Sequence, residues 1–198
     1  MIWFRLRDYL SVLIWRLAAP LFGSLGRGAR IVRPLRIIGA RFCHFGANST
    51  LQFGAYVIVT PELQQDPILR IGARTTIGNH AHIVVTRRVE MGEAVLIADR
   101  VFIADNGHEY RDPLRPVLEQ GLRQLNEVTI GDGTWIGENA VIVGCRIGRN
   151  CVIGANSVVT RDMPDHCVVA GSPARIVKRY CAKEGAWRRT DEQGRFIA

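Results

Sequence analysis

The chain has 198 residues, 47% of them hydrophobic, which is enough to bury one substantial core. Its formal charge of +8 favours polyanionic partners such as nucleic acid, anionic lipid or a phosphate-rich cofactor, without choosing among them. No run of about 18 predominantly apolar residues reads as a membrane-spanning helix, and five cysteines without a CxxC pair exclude a disulfide framework and read as reduced thiols of a cytosolic protein.

Residues 2–19 read as a helix ended by Pro20 and Gly23. Arg5, Asp8 and Arg16 share one side, while Trp3, Phe4, Leu6, Leu10, Leu13, Ile14 and Leu17 cover the rest. Two roles suit this pattern. The helix caps the open end of a coil or packs on a neighbouring subunit, or it lies as a peripheral anchor on a membrane surface. Arg16 within the apolar stretch, and the poor cleavage site Ala18-Ala19-Pro20, weigh against a cleavable signal.

From residue 28 an aliphatic residue begins to recur at every sixth position. Ile31, Ile38-Gly39, Phe45-Gly46, Leu51 and Phe53-Gly54 keep the period with slips, as irregular first coils would, and 61–67 is a loop. The regular block 68–104 carries Ile71-Gly72, Ile77-Gly78 and Ile83, then Met91-Gly92, Ile97 and Ile103. A two-residue phase shift from Val89 to Met91 predicts a corner bulge near Arg87-Arg88. A period of six fits neither a helical stripe nor a hairpin ladder. It fits an all-β solenoid winding around a prism, each flat face turning one side chain inward per coil.

Residues 105–126 break the repeat with a polar, turn-rich segment, which predicts a protruding loop. The repeat resumes over 127–160 with Ile130-Gly131, Ile136-Gly137, Ile142, Ile147-Gly148, Ile153-Gly154 and Val159, one interval being five. Residues 161–176 are a turn-rich exit. The last residues, 176–198, read as a short helix and a basic tail. The organisation is therefore an N-terminal helix and linker (1–27), a coil domain (28–175) with the insertion 105–126, and the C-terminal segment (176–198).

Three stretches, 89–108, 128–162 and 169–175, resemble the hexapeptide-repeat acyltransferases, above all in Trp135-Ile136-Gly137, in Ile153 to Asp162 and in Val169 to Arg175. The sugar and polysaccharide O-acetyltransferases are nearest in look. The resemblance implies a left-handed parallel β-helix, a homotrimer with sites between subunits, and acetyl-CoA as donor to a sugar hydroxyl in cell-surface polysaccharide or lipopolysaccharide assembly.

His108 stands where the family carries its catalytic His, and an imidazole titrates in the range an alcohol proton acceptor needs. Asp105 ranks first as its orienting partner, ahead of Glu109, Glu119 and Glu127. His82, Asn106 and Tyr110 are assigned to the acceptor, Asn106 standing where relatives often have a second His. The resemblance implies that Trp135 and Ala155 line the pantetheine arm and that Gly137 or Glu138 donates a backbone N–H to the oxyanion. It also implies that Thr160, Arg161, Arg175 and Lys178 meet the nucleotide end of the coenzyme. No metal is needed for transfer from a thioester.

Other acceptors remain open: a sugar-nucleotide amine, serine or an antibiotic. A non-catalytic β-helix scaffold is the alternative of a different class. His80, His82 and His108 make a three-His metal site thinkable. No nucleic-acid-binding signature is present, and the predicted compartment is the cytoplasm or the inner face of its membrane.

Overall fold

The computed structural model describes residues 2–191 and 193–197, with the side chains of residues 2–5 left out. The expected placements of Trp3, Phe4 and Arg5 lie outside the described residues. Helix α1 (Ile2–Leu17) is followed by a solenoid whose strands visit three sheets in strict rotation. The first face stacks Ser24–Leu25, Cys43–Phe45, Ile68–Ile71, Arg88–Met91, Val128–Ile130 and Arg146–Ile147. The second stacks Arg30–Ile31, Thr50–Leu51, Thr76–Ile77, Leu96–Ile97, Trp135–Ile136 and Val152–Ile153 before the C-terminal strands. The third stacks Arg36–Ile38, Tyr56–Val59, His82–Val85, Phe102–Ala104, Val141–Val143 and Val158–Val159. Neighbouring coils pair in parallel, so one residue type repeats directly above itself.

The six-residue period thus becomes three columns of buried aliphatic side chains. Ile77, Ile97, Ile136 and Ile153 stack on the second face, each essentially inaccessible to water. Burying one such side chain contributes about 1.5–3 kcal/mol. The glycines follow from the close approach of successive turns. A Cβ on Gly137 would lie 2.6 Å from the Ala155 nitrogen and 2.7 Å from the Ile153 carbonyl oxygen. The corners turn through left-handed residues such as Asn139 (φ 57°) and Asn156 (φ 58°), and Asn tolerates that region better than most side chains.

Four local expectations are corrected. In the first coils Ile31, Phe45 and Leu51 point inward as expected and a 3-10 turn at Ala40–Phe42 makes the slip, but Ile37 and Val57 face the core while Ile38 and Phe53 are exposed. Val89 and Met91 form no bulge. Both point inward from one four-residue strand, in register with Leu69 and Ile71. The insertion is not loop throughout, because Asn106–His108 pairs antiparallel with Leu122–Gln124. The C-terminal helix is replaced by strands: Cys167–Gly171 extends the second face, and Ala174–Cys181 and Ala186–Arg189 add to it antiparallel. An unpaired sheet edge offers Ile176, Lys178 and Tyr180 backbone partners that a solvated helix does not.

Helix α1 packs over the first coil. Ser11 Oγ donates to the Ile31 carbonyl (3.5 Å) and accepts from the Arg33 amide (2.7 Å), and Asp8 pairs with Arg33 at 3.1 Å. Trp15 meets Phe22 edge-on at 5.9 Å, and Phe22 meets Phe45 at 5.8 Å, tying the helix to the core. No helix among the described residues is long and apolar enough to cross a membrane.

Candidate active site

The hairpin bearing His108 leaves the solenoid at the edge between the third and first faces. His108 is exposed and lies opposite Leu122, while Asn106 lies opposite Gln124. At the hairpin's root Asp105 is fully buried. Its carboxylate accepts from the amides of Thr86 (2.9 Å), Arg87 (2.7 Å) and Arg88 (2.6 Å), from Thr86 Oγ1 (3.2 Å) and from Asn106 Nδ2 (2.9 Å). Gln124 closes the network: its Nε2 donates to the Asp105 carbonyl at 2.6 Å, and its Oε1, 3.0 Å from Thr86 Oγ1, shares that hydroxyl's one hydrogen with Asp105. Asp162 treats the next coil similarly, accepting the Arg146 amide at 2.8 Å.

Asp105 is therefore not the partner of the His108 ring; its lone pairs are spent on backbone that must be satisfied once buried. Two of the other three acids considered for that role are engaged too, and the third, Glu119, lies in the 3-10 turn Val117–Glu119 with no bond to His108. Glu109 pairs with Arg111 at 2.5 Å, and that hydrogen bond, with those from the Tyr110 and Arg111 amides, holds its carboxyl down at about 2. Glu127 pairs with Arg87 at 3.1 Å. Within one chain, His108 has no acid partner among the described residues. Asn106 is likewise turned inward, its amide donating to Asp105 and to the Val84 carbonyl at 3.3 Å, so it does not face an acceptor. Tyr110 is exposed beyond the hairpin strand.

Beside the hairpin runs a groove of about 570 Å³, lined by Arg87, Arg123, Gln124, Leu125, Val143 and Thr160 among others. It joins the root of the hairpin to the coil corner at Thr160. Close by, Arg161 and Arg175 converge on one acceptor, the Ala174 carbonyl, at 3.4 and 3.0 Å. A register shift between Val168 and Val169 skips Val177, so Arg175 and Lys178, opposite Ala170 and Val168, share the outward side of their strand.

The remaining expected coenzyme residues lie elsewhere. Trp135, half-exposed, projects from the second face between Leu96 and Val152. Gly137, Glu138 and Ala155 occupy the edge between the second and third faces. The Gly137 amide already donates to the Ile153 carbonyl at 2.8 Å, which removes it as an oxyanion donor. The Glu138 side chain pairs with Arg100, and its amide has no partner among the described residues. The third face thus separates the hairpin edge from the Trp135 edge. One copy does not bring the two sets together.

His82 sits on that third face, stacked on Tyr56 (5.0 Å, 9° between planes) and edge-on to Phe102 at 5.2 Å. Its Nε2 is buried with no hydrogen-bond partner among the described residues, and burial lowers the pKa, so the ring is held neutral. His80 turns to Phe53 instead, and no group of His, Cys, Asp or Glu able to hold a metal occurs among the described residues. Cys43, Cys145, Cys151 and Cys167 are buried in the coil, and none lies on the hairpin strands. Burial pushes the thiols of Cys43 and Cys145 up to about 12, which makes them poor nucleophiles.

Comparison with known proteins agrees with this architecture. The family described as bacterial transferase hexapeptide (six repeats) matches residues 127–161. WbbJ of Escherichia coli K12, provisionally named an O-acetyl transferase of lipopolysaccharide biosynthesis, is 38% identical over 96 residues, covering 45% of this chain and 49% of its own. Galactoside O-acetyltransferase of the same organism is 40% identical over 79 residues, covering 39% of this chain and 37% of its own. The chain thus matches about half or less of the length of these curated relatives. A galactoside acetyltransferase solved with coenzyme A superposes with a TM-score of 0.60 at 27% identity, covering 93% of this chain and 77% of that one. AntD, an N-acyltransferase of Bacillus cereus, superposes at 0.70 with 18% identity, covering 86% and 90%, a likeness of fold. Residues 127–161 thus match the hexapeptide repeat, and the chain resembles the acyltransferases built on that repeat.

Proposed function

We propose that this chain is an acetyl-CoA-dependent O-acetyltransferase acting on a sugar hydroxyl in cell-surface polysaccharide or lipopolysaccharide assembly. It works as a homotrimer of left-handed β-helices with its sites between copies. One observation carries the reading: an exposed imidazole rides on a braced hairpin above a groove that leads to Thr160 and the Arg161–Arg175 cluster. The sequence similarity to sugar O-acetyltransferases supports the acceptor class.

The groove suits the coenzyme chemically. Leu125 and Val143 offer apolar walls for a flexible arm, and Arg87, Arg123 and Thr160 offer polar ends. Arg161, Arg175 and Lys178 would meet phosphates, while Trp135 and Ala155 of a neighbouring copy would close the other side of the arm. The coenzyme supplies the acetyl group as an activated thioester. His108 takes the proton from the acceptor hydroxyl as its oxygen attacks, and returns it to the departing sulfur. The Glu138 amide is the remaining backbone donor for the developing negative charge. The partly exposed edge of His82, and Tyr110, are the proposed acceptor contacts. Free cysteines and a coenzyme A donor suit the cytoplasm, at the inner face of its membrane.

The test is thiol release from acetyl-CoA with glycan acceptors, and mass spectrometry of the product to separate ester from amide. His108→Ala is expected to lower turnover by about 10²–10⁴-fold while the oligomer stays intact. Undiminished transfer by that variant removes His108 as the base, and an amide product removes the hydroxyl acceptor.

A further inference from the structure

Helix α1 is mounted the wrong way round for a helix that only caps a core. Asp8, Ser11 and Trp15 face the coil. The opposite side presents Leu6, Tyr9, Leu10, Leu13, Ile14 and Leu17, all exposed, with Leu17 at 76% and Tyr9 at 69%. At 100° per residue these six fall on one stripe centred opposite Ser11 and Trp15, and Arg7 and Arg16 flank that stripe on its two sides. A contiguous apolar stripe of this kind marks an interaction surface.

Charge identifies the occupant. Residues 1–45 carry eight arginines and a single acidic residue, Asp8, so seven of the chain's eight net positive charges lie in its first 45 residues. Arg27, Arg30, Arg36 and Arg41 are exposed on or beside the coil that α1 covers. Apolar side chains between arginines, at the basic end of the molecule, match the boundary of an anionic bilayer. We infer that the outward stripe of α1 binds an anionic lipid surface and holds the solenoid end-on to the membrane. This inference is independent of the acyl-transfer reading, since it concerns the end of the coil and not the groove.

The test is flotation of the full chain with two kinds of vesicle: phosphatidylcholine alone, and phosphatidylcholine mixed with an equal amount of phosphatidylglycerol. Light scattering follows the oligomer in parallel. The chain is expected to float with the mixed vesicles and not with the neutral ones, and to be partly released by salt. Leu13→Asp with Leu17→Asp should weaken partitioning at least about tenfold. Arg7→Gln and Arg16→Gln should each weaken it about fivefold. Both pairs lie on exposed positions and should leave the oligomer unchanged. Equal flotation with neutral vesicles, or none with either, overturns the inference. So does a smaller oligomer in the leucine variant, which would make the stripe a contact between copies.

Discussion

Asp105 shows how a single buried carboxylate governs a site it does not face. Its five donors come from residues 86–88 and 106, so the charge is dispersed over backbone dipoles instead of being paired with a cation. Asp105→Ala would leave the amides of Thr86, Arg87 and Arg88 without an acceptor. Thr86 is buried and Arg88 half-buried, so at about 1–3 kcal/mol for each unsatisfied buried group the loss should reach about 2 kcal/mol or more in urea unfolding. His82 makes a different residue-scale prediction. Its pKa is lowered from 6.5 by burial against Tyr56 and Phe102, so the unfolded chain binds a proton there before the folded chain does. Stability is then flat above about pH 7 and falls as the pH drops through 6.5. His44, lowered by burial and by Arg70, acts with the same sign. His82→Phe keeps the aromatic stack and should flatten part of that fall, measured as melting temperature between about pH 7 and about pH 5. A pH dependence unchanged by the substitution would count against the buried neutral ring.

The hairpin is the element that turns a solenoid into a candidate catalyst. It projects His108 from a rigid edge, and Gln124 and Asp105 stitch its two strands to the coil, so the proposed base inherits the precision of the stack. Elements set by local repetition were legible in the sequence. Ile71, Ile77 and Ile83, or Ile136, Ile142 and Ile147, lie inward as their spacing requires. Elements set by distant partners were not. The donors to Asp105 come from 86–88, and nothing local distinguishes that carboxylate from a solvated loop acid. Leu122–Gln124 becomes a strand only because Asn106–His108 lies beside it. Ala174–Cys181 is written with Arg, Lys and Ile at spacings a helix also accepts. The exposed edge of the second face decides for strand, and the register shift keeps Arg175 and Lys178 together as a helix would have. Helix α1 was legible as an element, yet the orientation of its apolar stripe follows from where Ser11 and Trp15 dock.

At the scale of the molecule, the prism separates the two halves of the proposed site. Hairpin, groove and Thr160 share one edge; Trp135, Glu138 and Ala155 share another, with the third face between them. A coenzyme that touches both sets must lie between two copies, each contributing a different edge, as a cyclic head-to-tail contact provides. This geometry can be tested without a crystal. His108→Ala disables the hairpin edge, and Ala155→Trp, at an exposed corner, blocks the other. Each variant alone should be inactive. When the two are dissociated, mixed in equal amounts and reassembled, a boundary that takes His108 from one copy and Ala155 from its neighbour is wholly native. Random mixing makes about one quarter of all boundaries native, so about one quarter of the wild-type activity should return. A site contained in one copy would return none, because every chain in the mixture carries one of the two lesions.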